Sequence, residues 1–506
     1  MKSVNYITQQ SNYTIIKKSI KKESIKMIAN NTAEKINQYE QEQQRPFGLR
    51  DKIAYLFGDF GNDFSFLFVS SFLLVFCTKV LGINGGVVGS IFMLSKFIDA
   101  FTDVGMGRIV DIAKPTKAGK YRPWILRMSF PIAISNALMW MYFIKDWSMT
   151  AKIAYIAVTY IVWGSFCYTG INIPYGSMAS VISPEAKDRA SLSTFRTMGA
   201  LCAGLAINMI APMFLYATDK LGNQVVIAER FTIVGIVFSV LGLICHLLCY
   251  SLSTERVKVD VSQKQENAPK QSFFGLMKSL VKNKALVSLI LSTTLVLVAS
   301  TMTTALRSYL FIDYFRNAKA MMLATLVNTA AMAGSSIFAS KLAQKYGKKE
   351  VGCVGLALAT ITLITLYFMR VTNITTYYAL MFVNGIGFGI YSMYSWAYLT
   401  DVCDYQEMKN GKRDDGTVYA IYSFFRKVGQ ALATGLGGFV LALIGYQSAA
   451  TVQTTEVINR VYDVNILIPG LIYLAVLLLM LFTFPLSKKV VDEVTIELKA
   501  RRENAQ

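Results

Sequence analysis

Apolar stretches of about twenty residues recur along the chain, each long enough to cross roughly 30 Å of hydrocarbon as a helix. They fall near 56–77, 85–107, 125–144, 152–173, 194–216, 231–252, 285–312, 320–343, 351–369, 375–398, 417–444 and 466–486. The gaps between them are short and polar. The longest, 253–284, holds the string SQKQENAPKQS and divides six runs from six. The pattern predicts an all-α membrane protein of twelve transmembrane helices in two six-helix halves. In that division 1–46 is a polar cytoplasmic tail, 47–252 the first half, 253–284 a cytoplasmic linker, 285–486 the second half and 487–506 a second cytoplasmic tail.

Composition narrows the class. Of the 506 residues 54% are hydrophobic and 16% charged, against about 25% charged in soluble domains, and the mean hydropathy is +0.42. A soluble multidomain enzyme and a disordered chain are both excluded. The net charge of +20 would suit nucleic acid only if gathered in a polar arm or domain. Here the basic residues sit in loops, so no nucleic-acid partner is expected. Nine of the 51 lysines and arginines fall in loops on one side, and most of the others in the tails and the opposite loops. The positive-inside rule then places both termini in the cytoplasm. The first 50 residues lack a continuous apolar segment of the kind that opens a cleavable signal peptide.

Several strings mimic other chemistries. The seven cysteines are odd in number and mostly lie inside apolar runs, so no disulfide framework is expected. Cys245, His246 and Cys249 sit in LGLICHLLCY and read as helix packing rather than a metal site. GIGFG (Gly385, Gly387, Gly389) follows no strand and reads as close helix contact. No G-x-x-x-x-G-K-[ST] occurs, which disfavours an ATP-driven pump.

Charges inside the apolar runs need a reason, because each costs about 2.5–3.5 kcal/mol at mid-membrane on insertion scales. The first run, LFGDFGNDFSFLFVSS, spaces Asp59 and Asp63 one turn apart with Asn62 beside them. Asp59 lies nearer the end of that run and reads equally as a solvated cap. The second run, SKFIDAFTDVGMG, puts Lys96, Asp99 and Asp103 on one face, with Thr102 adjacent. Thr169 and Asn172 lie in the fourth run, Arg196 in the fifth, Arg426 and Lys427 in the eleventh. Lys427, about ten residues or roughly 15 Å into its helix, needs a carboxylate, for which Asp99 or Asp103 is the natural partner. Paired carboxylates one turn apart suit a cation site, holding Na⁺ with oxygen ligands or sharing a proton. A purely stabilising set of buried ion pairs is the alternative. Tyr168, Tyr175, Tyr391, Tyr394, Trp396, Tyr419 and Tyr422 supply ring faces that suit sugars and equally suit interfacial belts.

Six helices, a polar linker and six more is the layout of a major-facilitator transporter, whose halves are related repeats. The loops GRIVDIAKPTKAGKYRPW and SKLAQKYGKKE, each after the second helix of a half, support that layout. At the motifs FGDFGNDF, KFIDAFTDVGMGRIVD, GKYRPW, NIPYGSMAS, DVCDYQEMKNGKRDDG and SFFRKVGQA, from about residue 47 to 495, the chain resembles the glycoside–pentoside–hexuronide:cation symporters. The resemblance implies a bacterial inner-membrane sugar carrier with no enzymatic activity and no cofactor beyond its coupling ion. A monomer suffices. It implies that Asp63 binds sugar, that Asp99 and Asp103 bind the coupling cation with Thr169 and Lys427, and that Arg196 lies near the sugar. Asn62 and Tyr168 are grouped with the sugar residues, Lys96 and Thr102 with the cation residues. If the ion is Na⁺, Asp99 and Asp103 are its metal ligands.

The chain departs from the melibiose branch of that family at three places. Asn172 stands where that branch has a second sugar-binding aspartate, Gly176 where it has tryptophan, and Thr102 where it has asparagine. NIPYGS and SFFRKVGQA look closer to the glucuronide and isoprimeverose carriers, which tilts the expected ion towards H⁺. An exchanger or facilitator would use the same carboxylates. A non-transporting sugar sensor would signal through 1–46 or 253–284.

Overall fold

The computed structural model describes residues 45–116, 118–220, 222–257, 283–410, 415–448 and 450–504. Most of the expected first tail and linker, 1–44 and 258–282, therefore lies outside the described residues. Apolar sequence closes into helices because a chain in lipid must satisfy its own backbone polar groups. Six long rods precede 258–282: α1 (Leu49–Val75), α2 (Gly85–Ile112), α3 (Arg122–Met139), α4 (Met149–Ile161) continuing into α5 (Thr169–Ile182), α6 (Ala186–Leu215) and α7 (Ala228–Leu252). Six follow: α8 (Lys284–Tyr309), α9 (Ala320–Tyr346), α10 (Lys348–Met369), α11 (Ile374–Met393) with α12 (Ser395–Asn410), α13 (Asp415–Leu443) and α14 (Thr455–Phe482). Polar residues start them: Asn84, Ser148, Asn283, Asn373 and Thr454 each accept a hydrogen bond from a first-turn N–H.

Among the described residues, seven helices are long and apolar enough to cross a membrane, or eight if the bent pair 320–335 and 337–346 counts as one. That is fewer than the twelve rods. In α13 the shortfall has a visible source, since Arg426 and Lys427 lower the hydropathy of an otherwise apolar helix. The outer surface is strongly apolar: Phe101, Leu443 and Phe482 are about four-fifths exposed, a surface that water would not tolerate but lipid does.

Three features depart from the sequence reading. A short antiparallel hairpin, β1 (Tyr216–Thr218) with β2 (Gln224–Val226), joins α6 to α7. The expected second tail is a helix, α15 (Lys488–Asn504), packed on α12 and α10. The first residues of the expected linker belong to the first half: the Glu255 carboxylate accepts from the N–H groups of Lys120, Tyr121 and Arg122 at 2.7–2.8 Å. Arg256 pairs with Asp51 at 2.9 Å.

The halves meet along α2–α13, α1–α8 and α6–α9. In the α2–α13 contact Gly85 and Gly89 face Gly435 and Gly438, and a Cβ on Gly435 would lie 2.7 Å from the Gly89 carbonyl oxygen. Backbone thus packs on backbone, as small residues permit.

Candidate functional site

Asp99 and Asp103 project one turn apart from α2, and α4–α5 answers them with hydroxyls at the same spacing. A π segment, Val162–Tyr168, joins α4 to α5. Such segments recur at functional positions because they re-aim side chains within a helix. Here Ser165 donates to Asp99 Oδ1 and Thr169 Oγ1 donates to Asp103 Oδ1 at 2.7 Å. Gly164 lies alongside, its Cα face turned to the Asp99 carboxylate. Each carboxylate also holds an ammonium. Lys96 Nζ lies 2.6 Å from Asp99 Oδ2, and Lys427 Nζ 2.8 Å from Asp103 Oδ2. Lys427 belongs to α13, so its bond crosses between the halves. The two rungs differ in access: the Lys427 side chain is 46% exposed, that of Lys96 14%.

A second group lies on α1 and α6. Arg196 Nε donates to Asp59 Oδ1 at 2.9 Å, and its guanidinium carbon sits 5.3 Å from the centre of the Tyr175 ring. Asp59 is thus buried and paired, not a solvated cap. Its partner is 137 positions away, a proximity that spacing in the first helix does not encode. Asp63, one turn along α1 from Asp59, and Asn172 in α5 are partly buried. Tyr168 is also partly buried, its ring stacked on Phe66 at 5.4 Å.

Two residues grouped with the site do not reach it. Asn62 is 2% exposed, and its Oδ1 faces His246 Nε2 of α7 at 3.1 Å, which turns the amide into the first half's own core. The Thr102 hydroxyl donates to Ile98 and Asp99 carbonyls of its own helix, the usual local satisfaction of a mid-helix threonine. Among the aromatic residues, Tyr175, Tyr391, Tyr394 and Tyr422 are at most 4% exposed and serve packing, while the Tyr419 side chain lies outside the described residues. Ser165 is the residue that sequence reasoning missed. A serine in VWGSFCY gives no signal until the π turn sets its register.

Beyond the site, towards the end of the bundle opposite the termini, the halves are bonded together. Lys79 Nζ lies 2.7 Å from Asp313 Oδ1, with side chains 6% and 5% exposed. Tyr446 donates to Asp313 Oδ2 at 2.8 Å. The Thr78 and Tyr309 hydroxyls meet at 2.6 Å, and Ser448 donates to the Ile83 carbonyl at 2.9 Å. On the terminal side of Lys427–Asp103, no hydrogen bond or ion pair joins the halves among the described residues. A cavity of about 150 Å³ sits between site and seal, lined by Phe66, Ser70, Lys96, Ser300, Thr304 and Gln430 among others.

The MFS/sugar transport protein family model matches residues 54–488. The uncharacterized symporter YjmB of Bacillus subtilis (strain 168) is 30% identical over 88% of this chain and 94% of its own. The glucuronide carrier protein homolog of Escherichia coli (strain K12) is 29% identical over 90% and 97%. The putative sulfoquinovose importer of Escherichia coli (strain K12) is 29% identical over 80% and 85%. The inward-open xylose transporter XylE from E. coli superposes with a TM-score of 0.58 at 13% identity, covering 88% of this chain and 98% of that one. The chain therefore belongs to the MFS/sugar transport family, as a symporter of glycoside–pentoside–hexuronide type.

Proposed function

We propose that the protein imports a glycoside, of glucuronide or pentoside type, by symport with H⁺ or Na⁺. The observation that carries this is the Asp103–Lys427 pair, in which a cation-site carboxylate of one half is held by an ammonium of the other. A proton or Na⁺ arriving at Asp103 competes with Lys427 and so loosens a bond between the halves. Ion occupancy and the rocking of the halves thereby become linked. Asp63, Asn172 and the half-exposed Arg196 fork offer acceptors and donors for sugar hydroxyls. With twelve crossings and the termini in the cytoplasm, the seal around Lys79 and Asp313 closes the outer side and the arrangement is inward-facing.

The test is external pH in a lightly buffered suspension of energy-depleted cells producing the protein, pulsed with β-glucuronides, isoprimeverose or galactosides, with and without Na⁺. Sugar-driven alkalinisation independent of Na⁺ identifies proton symport, and Na⁺-dependent uptake without it identifies sodium symport. Asp99→Asn and Asp103→Asn are expected to abolish accumulation while leaving downhill exchange. Full accumulation by both variants would remove the carboxylates from coupling.

A further inference from the structure

A groove of about 350 Å³ runs between α8 and α13 and takes no part in the site described above. Every side chain lining it is uncharged. Its floor, Leu286, Ile421 and Gly429, is buried, while its rim, Leu291 and Leu432, is nearly half exposed. Gly429 lets the two helices close beneath it, since a Cβ there would lie 2.9 Å from Thr294 Cγ2.

The groove opens away from the space between the halves. On α13, Gln430 and Thr434 line the cavity between the halves, and Lys427 reaches across to Asp103. Ile421, Phe425, Val428 and Leu432 repeat at i, i+4, i+7 and i+11 on the opposite side of the helix. In a membrane that side meets lipid. Depth is fixed as well. The start of α8 lies beside the end of α14, where the Ser288 and Thr483 hydroxyls meet at 2.8 Å, so the groove is at the C-terminal side of the bundle. From Leu286 to Thr294 it runs about 12 Å along α8, within one leaflet of a hydrocarbon core roughly 30 Å thick.

Lys284 stands at the mouth. It precedes Val287 and Leu291 by three and seven residues and so heads the same stripe of α8. It is exposed, and among the described residues no ion pair reaches it. Side chains lean towards the N-terminus of their helix, which carries this ammonium out towards the headgroup layer while its stem covers apolar surface.

We propose that the groove holds one acyl chain of an anionic phospholipid, from the leaflet on the side of the termini, with the lipid phosphate on Lys284. Hydrocarbon suits the uncharged walls, and the anion suits a cation at the mouth of a cleft between membrane helices. Spread over its length, the volume gives a cross-section of roughly 30 Å², enough for a hydrocarbon chain and far short of a helix about 10 Å across. The lipid thus lies on one face of α13 and the Lys427–Asp103 pair on the other, so a seated chain braces the helix that carries the bond between the halves. The inference concerns lipid and holds whichever sugar is carried.

Native mass spectrometry of the purified protein tests it, because one spectrum counts both bound lipids and copies of the chain. The protein in dodecyl maltoside is titrated with dioleoyl phosphatidylglycerol or dioleoyl phosphatidylethanolamine. Wild type is expected to retain one phosphatidylglycerol in preference to the ethanolamine lipid, and the preference to shrink as salt rises. Lys284→Ala is expected to lose roughly fivefold of the affinity for phosphatidylglycerol and with it the preference. Leu291→Trp, which fills the rim, is expected to weaken both lipids by about tenfold. Both positions are exposed, so the fold is expected to persist. Unaltered binding in both variants would overturn the site. A loss confined to Lys284→Ala would reduce it to attraction at the membrane surface, with no chain in the groove. A doubled mass in wild type that Leu291→Trp abolishes would give the groove to a second copy of the chain instead.

Discussion

A carboxylate shared between a hydroxyl and an ammonium is easily re-partnered, and Asp99 and Asp103 are each held in that way. Removing one hydroxyl tests how the pair is tuned. Ser165→Ala takes a donor from Asp99 and leaves Lys96, so the cation concentration for half-maximal uptake is expected to shift by about tenfold with little change in the maximal rate. Ion-dependence curves of uptake check this. Asp63→Asn is expected to act on the sugar instead, raising the half-saturating sugar concentration by at least an order of magnitude while the ion curve keeps its midpoint. Unchanged sugar affinity would remove Asp63 from the sugar site. Sequence already carried the residue types here. Lys96 beside Asp99 is a matter of helical spacing, and a carboxylate partner for Lys427 follows from the cost of burying an ammonium. The Asp59–Arg196 pair and the turning of Asn62 towards His246 were not legible, because both depend on which faces α6 and α7 bring to α1.

At the scale of elements, hydropathy located the rods, since a long apolar run and a helix are nearly the same statement in lipid. The π segments escaped it. Phe76–Val80 ends α1 and Leu310–Tyr314 ends α8, so the first helix of each half carries the same departure at the same end. A one-residue change in helical register leaves no trace in composition. The β1–β2 hairpin and α15 were also invisible, being too short or too polar for a hydropathy window. Close packing of α2 on α13 makes a sharp demand. Gly435→Val would drive a side chain into the Gly89 carbonyl and part the halves, so it is expected to abolish uptake. Gly105→Ala on the same α2, where no atom lies within 4 Å of an added Cβ, is expected to be silent. Uptake assays matched for membrane protein level compare the two.

For the molecule as a whole, the bonds between the halves are unevenly distributed among the described residues: a seal at one end, a single ion pair in the middle, and independent ties within each half at the terminal end. Glu255 gathers the start of α3 in the first half. In the second, Glu350 accepts from the Lys488 N–H at 3.0 Å and Lys348 pairs with Asp401 at 2.6 Å. Each half is braced as its own body. Lys79→Ala leaves Asp313 buried without its cation, a loss of about 3–5 kcal/mol for a broken buried pair, and is expected to open the sealed end. Cys77, fully buried beside it, is the reporter. A membrane-impermeant maleimide added to intact cells is expected to label Cys77 in Lys79→Ala and not in wild type, with Cys77→Ser as the control. Labelling that is equal in both would place the seal elsewhere.

The pairing of two aspartates with two lysines has an electrical consequence. Lys96, Asp99, Asp103 and Lys427 sum to zero, so the empty site carries no net charge when it reorients. Through these four residues membrane voltage then has no purchase on the return of the unloaded carrier. It acts on the loaded step, where one added cation moving through 100 mV is worth about 2.3 kcal/mol, or roughly fifty-fold accumulation. If the cargo itself brings a negative charge, that step becomes electroneutral as well. Uptake would then follow the ion gradient alone and ignore the potential. A transport current that appears with a neutral sugar and vanishes with an acidic one would be the signature of this arrangement.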